Sequence, residues 1–207
     1  MGNSVILKPS EFSNITGGAL LAWLFEMAEL PEGTFQVLSG ESQIGEALVN
    51  HPQVNMISFT GSTGVGKKIA EACAKQLKKC ALELGGNNAI IICEDADLDT
   101  AVNNAVWGTF LHQGQICMQT GRHLVHRSIA DAYIQKLKEK ALALNVGDPS
   151  APDTHLGPLI NAAQHQKVSN LVEAAVNNGA ILECGGKGEN LFFHPTVITN
   201  ISKDDPI

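Results

Sequence analysis

Two short segments carry the residue types that thioester chemistry needs. Residues 82–86 read Leu-Glu-Leu-Gly-Gly and place the carboxylate of Glu83 just before a glycine turn, and residues 114–117 read Gly-Gln-Ile-Cys and end on Cys117. A thiolate can attack a carbonyl carbon, and a carboxylate can activate water against the resulting thioester. Taken singly, each has a simpler interpretation: a buried packing cysteine and a strand-end glutamate paired with a lysine. They stand far apart in the sequence, so only the fold can bring them together.

The elements that would position these residues alternate between strand and helix in the first part of the chain. Apolar runs predict strands, and 3.6-residue periodicity predicts helices between them. The predicted strands are residues 5–7, 35–38, 56–59 and 81–84, and the first two predicted helices are residues 16–29 and 44–50. A third helix follows residue 64, with Val65, Ile69, Cys73 and Leu77 as one buried row. Repeated strand–helix units of this length predict an α/β fold with a parallel sheet covered by helices on both faces.

A second α/β part follows Gly86. Residues 89–93 predict a strand buried on both faces, and a helix over residues 98–106 leads to the loop of Cys117. A strand at residues 124–126, a helix at 161–178 and a strand at 181–184 complete the pattern. The four cysteines other than Cys117 lie on apolar helix faces or in strands, and we interpret them as packing residues: Cys73, Cys80, Cys93 and Cys184.

Composition and charge exclude several classes of function. The chain is 44% hydrophobic with 20 glycines, which fits a globular α/β protein, and its net charge of -7 argues against nucleic-acid binding. No apolar run approaches the roughly 20 residues that cross a bilayer, and the first residues lack the pattern of a signal peptide. Five cysteines without a Cys-x-x-Cys pair predict reduced thiols and a cytoplasmic protein. The seven histidines form no metal-binding pattern, so we expect no metal.

A phosphate-binding loop is the main rival interpretation. Residues 61–68 read Gly-Ser-Thr-Gly-Val-Gly-Lys-Lys and nearly match the P-loop of nucleoside triphosphatases. Lys68 stands where that loop needs a serine or threonine hydroxyl on magnesium, which disfavours the interpretation. The G-x-G-x-x-G pattern fails too, because Ile69 occupies the third glycine position.

Four segments follow one another along the chain in a recognisable order: Phe59-Thr60-Gly61-Ser62, the Glu83 segment, the Cys117 segment and Gly121-Arg122. In these segments and in their order the chain resembles the NAD(P)-dependent aldehyde dehydrogenases. The resemblance runs from about Gly2 to the C-terminus. It implies a Rossmann-like parallel sheet plus a second α/β catalytic domain, both incomplete. Residues 1–85 would be a partial dinucleotide-binding domain and residues 86–207 a partial catalytic domain. Because members of the family are more than twice as long, we expect an internal fragment lacking both ends.

The resemblance also implies a mechanism. Cys117 would attack the aldehyde carbonyl, the hemithioacetal would expel hydride to the nicotinamide, and Glu83 would activate water to release the carboxylic acid. The backbone N–H of Cys117 would help to bind the oxyanion. The resemblance assigns cofactor binding to Lys8, Glu11, Gly61, Ser62, Leu84 and Gly85. Lys8 and Glu11 would hold the adenosine ribose, and the carboxylate of Glu11 would favour NAD over NADP. Without the family context, a solvated lysine and glutamate at a strand end would be the better interpretation.

Residues 112–118 are similar to the family branch that oxidises benzaldehyde and vanillin. Ile116 and Met118 flank the nucleophile and would form an apolar wall for a flat ring, or serve as ordinary loop packing. The expected partners are a small aldehyde and further copies of the chain in a homo-oligomer, with no nucleic acid and no membrane. The alternative is a non-catalytic module that binds a dinucleotide or assembles with other dehydrogenase chains.

Overall fold

Short apolar runs form parallel strands in the part of the chain that ends at Gly85. The computed structural model, which describes residues 2–203 and 205, divides the chain there into two units, residues 1–85 and 86–207. In the first unit β1 (Val5–Leu7) pairs with β2 (Phe35–Val37), and β3 (Met56–Gly61) pairs with β4 (Lys79–Leu84), both in parallel. The end points of the predicted domains, residues 1 and 207, lie outside the described residues.

Helices α1 (Leu20–Met27), α2 (Ser42–Asn50) and α3 (Thr63–Lys75) connect these strands, as the alternating pattern predicts. The first predicted helix, residues 16–29, begins one turn before α1 does. The reason is that the preceding residues, Ile15–Ala19, form a π-helix that runs into α1. No residue of α1 is buried, although seven of its eight side chains are apolar. One of them, Phe25, packs on Phe35 of β2 with ring centroids 4.4 Å apart.

The core of the first unit lies between α3 and its flanking elements. Ile69 and Cys73 of α3 are buried together with Val49 of α2, and side chains of β3 and β4 pack against them. The predicted buried row of four residues is wrong at both ends. Val65 is exposed, and Leu77 is 94% exposed because α3 ends at Lys75 and Leu77 takes a φ of +53° beyond the helix.

The second unit begins with another parallel pair, β5 (Ala89–Ile92) and β6 (Arg122–Val125), connected by α4 (Leu98–Phe110). Two further helices follow, α5 (Ala130–Leu142) and α6 (Ala162–Asn177). The antiparallel pair of β7 (Ile181–Cys184) and β10 (Val197–Thr199) follows, with the hairpin of β8 (Gly188–Glu189) and β9 (Phe192–Phe193) between them in sequence. The predicted α/β class is confirmed for the chain.

The core of the second unit is a cluster that α4 and α5 share with strand residues. Its buried members are Ile92, Val102, Ala105, Tyr133, Leu137, Ala141, Cys184 and Val197. The prediction that β5 is buried on both faces is wrong, because Ile92 is buried while Ile91 is 70% exposed. The strand pairs only with β6 in the described residues, and successive side chains point to opposite faces, so one face stays uncovered.

The packing role predicted for four cysteines holds for two of them. Cys73 and Cys184 are buried, and burial raises the pKa of both thiols. Cys80 and Cys93 are exposed, which corrects the prediction. Cys80 lies beside Cys73 near the start of β4, at the margin of the core, and Cys93 lies just beyond the end of β5. Within residues 2–203 and 205, no helix combines the length and the apolar content that crossing a membrane requires.

Candidate active site

The predicted base and most of the predicted cofactor residues lie where β3 and β4 end. The two strands are parallel and in register, with Thr60 opposite Glu83 and Gly61 opposite Leu84. The N–H of Gly85 donates to the carbonyl of Gly61 at 3.2 Å and extends the pairing by one residue. Glu83 is exposed there. This edge is the carboxyl end of a parallel pair, which is where α/β folds bind their ligands.

Ser62 begins α3 immediately after β3. Its Oγ accepts a hydrogen bond from the N–H of Val65 at 3.4 Å, so Ser62 is the N-cap of a 13-residue helix. The helix start lies close to the strand end, because a Cβ built at Gly66 would stand 2.5 Å from Cδ2 of Leu84. The Ser62 hydroxyl hydrogen and the unpaired N–H groups of the first helical turn are therefore available to an anion at this edge.

Lys8 and Glu11 follow β1 in the same unit. The Nζ of Lys8 lies 3.7 Å from Oε2 of Glu11, and the carboxylate of Glu11 is exposed. Glu11 is the first residue of a short 3-10 helix, Glu11–Ser13, which Ser10 caps through its side chain. The ion pair holds the carboxylate close to the carboxyl end of β1 without covering it, and its oxygens can accept hydrogen bonds from hydroxyl groups.

Cys117 lies in the loop between α4 and β6, in the second unit. Three consecutive residues enter the loop with positive φ angles: His112 at +52°, Gln113 at +58° and Gly114 at +70°. Residues other than glycine rarely adopt this backbone conformation, so His112 and Gln113 hold it at an energetic cost. The conformation turns the chain sharply. A turn follows, closed by the N–H of Gln119 donating to the carbonyl of Ile116 at 3.2 Å, and Cys117 is exposed within it.

The loop is anchored by side chains that sequence reasoning missed. The Nδ2 of Asn88 donates to the carbonyl oxygen of Cys117 at 2.8 Å. The Nε2 of Gln119 donates to the carbonyl of Gly86 at 3.0 Å. On the other side of the loop, the Oε1 of Gln115 accepts from the N–H of Ile160 at 2.9 Å. The sequence feature that could have revealed these contacts is the cluster of asparagine and glutamine residues around the glycine pair and Cys117.

A partly buried polar network supports the end of the loop. The carbonyl of Thr120 accepts from the hydroxyl of Thr109 at 2.9 Å and lies 3.0 Å from Nε2 of His123. The hydroxyl of Tyr133 lies 3.0 Å from Nδ1 of the same histidine. Burial lowers the pKa of His123 and raises the pKa of Tyr133 to about 12. Both groups are therefore uncharged near neutral pH, with the histidine donating to Thr120 and accepting from Tyr133.

The structure groups the predicted residues by unit. Glu83 belongs to the first unit with the predicted cofactor residues, and Cys117 belongs to the second with the predicted substrate residues. Ile116 is half-buried beside the nucleophile and Met118 is 57% exposed. Each unit therefore presents one of the two predicted reactive groups at its surface.

The residues of the first unit fit a dinucleotide. A helix N-terminus with a free hydroxyl hydrogen suits a pyrophosphate, and the exposed carboxylate of Glu11 suits the diol of a ribose. A Cβ built at Gly85 or Gly86 would meet no described atom within 4 Å, which leaves space beside Glu83. Nowhere in the described part of the chain do three or more His, Cys, Asp or Glu side chains gather as ligands of a metal ion.

Known proteins are similar to this chain in sequence and in fold. The model of the aldehyde dehydrogenase family matches residues 1–207. A benzaldehyde dehydrogenase [NAD(+)] of Pseudomonas putida is 51% identical over 204 residues, which are 99% of this chain and 42% of that protein. A vanillin dehydrogenase of Amycolatopsis sp. is 47% identical over 206 residues, again 42% of its length. The chain thus spans less than half the length of these relatives.

A solved structure extends the similarity to three dimensions. The betaine aldehyde dehydrogenase of Staphylococcus aureus, in complex with NAD+, superposes with a TM-score of 0.91 at 35% identity. The superposition covers 96% of this chain and 41% of that one.

Proposed function

Because the chain belongs to the aldehyde dehydrogenase family, we propose that it carries the nucleophile and the base for oxidising an aldehyde to a carboxylic acid with NAD. The observation that carries this proposal is that Cys117 is exposed on a backbone that hydrogen bonds hold in place. Its thiol is exposed in a turn, and the carbonyls on both sides of its Cα are hydrogen-bonded, one to Gln119 and one to Asn88.

Cys117 acts first in the proposed reaction. Its thiolate attacks the aldehyde carbon, a C–S bond forms, and the carbonyl π electrons move to oxygen. The N–H of Cys117 donates to that oxyanion, and a fixed donor of this kind contributes roughly 3–4 kcal/mol in acyl-transfer sites. Because Ile116 lies in the same peptide as that N–H, the hydrogen bond from Gln119 to the Ile116 carbonyl keeps the N–H from rotating.

The cofactor residues hold NAD at the first unit. Ser62 and the first turn of α3 bind the pyrophosphate, with Gly61 allowing the close turn between strand and helix. Glu11, paired with Lys8 at 3.7 Å, accepts from the ribose hydroxyls and disfavours the 2′-phosphate of NADP. Leu84 and Gly85 adjoin this site at the end of β4. When bound, NAD would supply the acceptor for the two electrons that the aldehyde loses.

Glu83 acts in the hydrolytic half of the reaction. Its exposed carboxylate takes a proton from water as the water oxygen attacks the thioester carbon. The C–S bond then breaks, the thiolate of Cys117 is regenerated and the carboxylic acid leaves. The space beside Gly85 and Gly86 admits that water.

An aromatic aldehyde is the proposed substrate class. Ile116 and Met118 offer apolar surface on both sides of Cys117, which suits the face of an uncharged ring. Relatives named for benzaldehyde and vanillin support the same class. An aldehyde that also carries a carboxylate would need a cation to bind it, and the seven residues from His112 to Met118 contain no lysine or arginine.

The proposed setting is a homo-oligomer in the cytoplasm. The apolar side chains of α1, exposed in this chain, support self-association, and the five cysteines without a predicted disulfide framework support a reducing compartment. The same exposed helix favours a second candidate, a non-catalytic module that binds a dinucleotide or assembles with other dehydrogenase chains.

Formation of NADH from benzaldehyde and NAD by the 207-residue chain tests the proposal. Cys117→Ser should abolish turnover, because a serine hydroxyl is a far weaker nucleophile and a poorer leaving group. Cys93→Ser is the matched control, since Cys93 is also exposed in the second unit, and it should retain full turnover. Turnover that survives Cys117→Ser would reject the nucleophile. A folded chain that binds NAD without turnover would favour the non-catalytic module.

A further inference from the structure

The peptide groups on both sides of Cys117 are each fixed by one hydrogen bond. The Ile116 carbonyl accepts from the backbone N–H of Gln119 at 3.2 Å, a bond within the turn itself. The Cys117 carbonyl accepts from the side chain of Asn88 at 2.8 Å. Only the second bond comes from outside the loop. Because a peptide group is planar, holding its carbonyl also fixes the direction of the N–H that follows.

We propose that Asn88 is a positioning residue for Cys117, which holds the peptide after the nucleophile and thereby fixes the backbone that carries the thiol. The proposal rests on the proposed function, since it concerns how the nucleophile of that reaction is held. The turn bond from Gln119 limits rotation about the Cα–C bond of Cys117, and the bond from Asn88 to the Cys117 carbonyl limits it further. Asn88 thereby orders the backbone around the thiol before a substrate arrives.

Asn88 can hold the loop because its own backbone is held. It directly precedes β5, and its carbonyl accepts from the backbone N–H of Arg122 at 3.2 Å, which extends the β5–β6 pairing by one residue. The Nε of Arg122 also donates to the carbonyl of Asn87 at 2.9 Å. Gln119 adds its 3.0 Å bond to the carbonyl of Gly86. Asn88 is therefore held at the start of a paired strand, which is more rigid than a loop.

The chemistry of the contact requires a donor at position 88. A carbonyl oxygen can only accept, so an amide NH₂ fits and a carboxylate of the same shape does not. Asn88→Asp would therefore place two acceptors face to face without changing the volume of the side chain. Protonating that aspartate restores an O–H donor, which makes the defect reversible by pH in a single variant.

Hydrogen exchange of the full chain tests the proposal directly. In Asn88→Ala and Asn88→Asp, the hydrogen-bonded amides of the loop, those of Gln115, Gln119 and Thr120, should exchange about three- to tenfold faster than in the wild type. This is the factor that one hydrogen bond of ordinary net strength gives. Asn104→Ala and Asn104→Asp are matched controls on the exposed surface of α4, and they should leave the loop unchanged. Amides of β3 and β4 should keep their wild-type rates in every variant.

The pH dependence separates positioning from a general loss of structure. As the pH is lowered towards the aspartate pKa, the ratio of variant to wild-type exchange should fall towards one for Asn88→Asp and stay constant for Asn88→Ala. If the chain turns over aldehyde, kcat of Asn88→Asp should drop about tenfold at neutral pH with the KM for NAD unchanged, as expected for lost orientation.

Loop exchange at the wild-type rate in both Asn88 variants would overturn the proposal, as would a defect in Asn88→Asp that low pH does not relieve. If Asn88→Ala fails to fold, Asn88→Asp still decides, because it is compared with itself at two pH values. Failure of the proposed function appears elsewhere, as turnover that survives Cys117→Ser, and it leaves the exchange result intact.

Discussion

The two units differ in how well each covers its own apolar residues. In residues 86–207, α4 and α5 enclose a core that includes Val102, Tyr133 and Leu137. In residues 1–85 the described core cluster is smaller and consists of Val49, Ile69 and Cys73. Helix α1 is apolar at every position except Glu26 and yet contributes no buried residue. A helix of that composition is normally enclosed by protein.

The predicted nucleophile and the predicted base therefore differ in how the surrounding structure supports them. The loop of Cys117 is held by hydrogen bonds within the better-packed unit. Glu83 and the predicted cofactor residues lie in the unit whose helix α1 contains no buried residue. Since burial of apolar surface is the dominant favourable term in folding, we expect the second unit to be the more stable of the two.

The largest expected effect comes from the core of the second unit. Tyr133 is only 1% exposed, and Tyr133→Ala should lower the free energy of unfolding of that unit by about 3–5 kcal/mol, as other large aromatic truncations do. Hydrogen exchange resolved by peptide should show protection lost in α4, α5 and β6. Amides of α3 should keep their protection if the units unfold separately.

Tyr133→Phe is the control for that substitution. It keeps the ring and removes the 3.0 Å hydrogen bond to His123, so it should cost only about 1–2 kcal/mol. Equal loss of protection in both units after Tyr133→Ala would show that they unfold together and would remove the distinction between them.

The next effect is a titration that reports on the second unit alone. The chain has a single tyrosine, and burial raises the pKa of Tyr133 to about 12 in the folded state, from 10.0 for an exposed tyrosine. The neutral form is favoured by folding, so this contribution is complete below the unfolded-state pKa. It is lost as the pH rises from about 10 towards about 12. Absorbance of the tyrosinate should show the shift, and its disappearance in urea marks unfolding of the second unit.

The smallest expected effects come from a matched pair of helix caps, one in each unit. Ser62 caps α3 with a 3.4 Å bond, and Asn161 caps α6 with a 2.9 Å bond to the N–H of Gln164. Substituting alanine should cost about 1 kcal/mol at each site, with the shorter bond of Asn161 giving the larger value. Thermal unfolding measures both. Ser62→Ala should also weaken NAD binding, whereas Asn161→Ala should not.

Local patterns were sufficient to predict most of the elements. Apolar runs with turn residues at both ends identified β3 and β4, and both strands are confirmed, with Ser62 at the following helix start. The predicted buried row on α3 failed at Leu77 because apolar periodicity continued past the last helical residue. Cys80 was misjudged because a position on the core-facing side of a strand can still be exposed near the start of that strand.

The support of the Cys117 loop could not be predicted in the same way. The bonds from Asn88 to Cys117 and from Gln115 to Ile160 join residues that are distant in sequence, and a side-chain amide bound to a backbone carbonyl or N–H leaves no periodic signal. The roles of Cys117 and Glu83 came from motif order rather than from any local pattern, and they stay predictions until turnover is measured.

The three left-handed residues before Cys117 restrict how this loop can vary in sequence. His112 and Gln113 hold a backbone conformation that β-branched residues avoid and that glycine, asparagine and aspartate accept most readily. In a library randomised at these two positions, selection for the native loop should therefore enrich a narrow set of small or polar residues. Exposed positions of α4 should accept most residue types in the same experiment. Substitution tolerance in this region would thus follow backbone angles more closely than distance from the nucleophile.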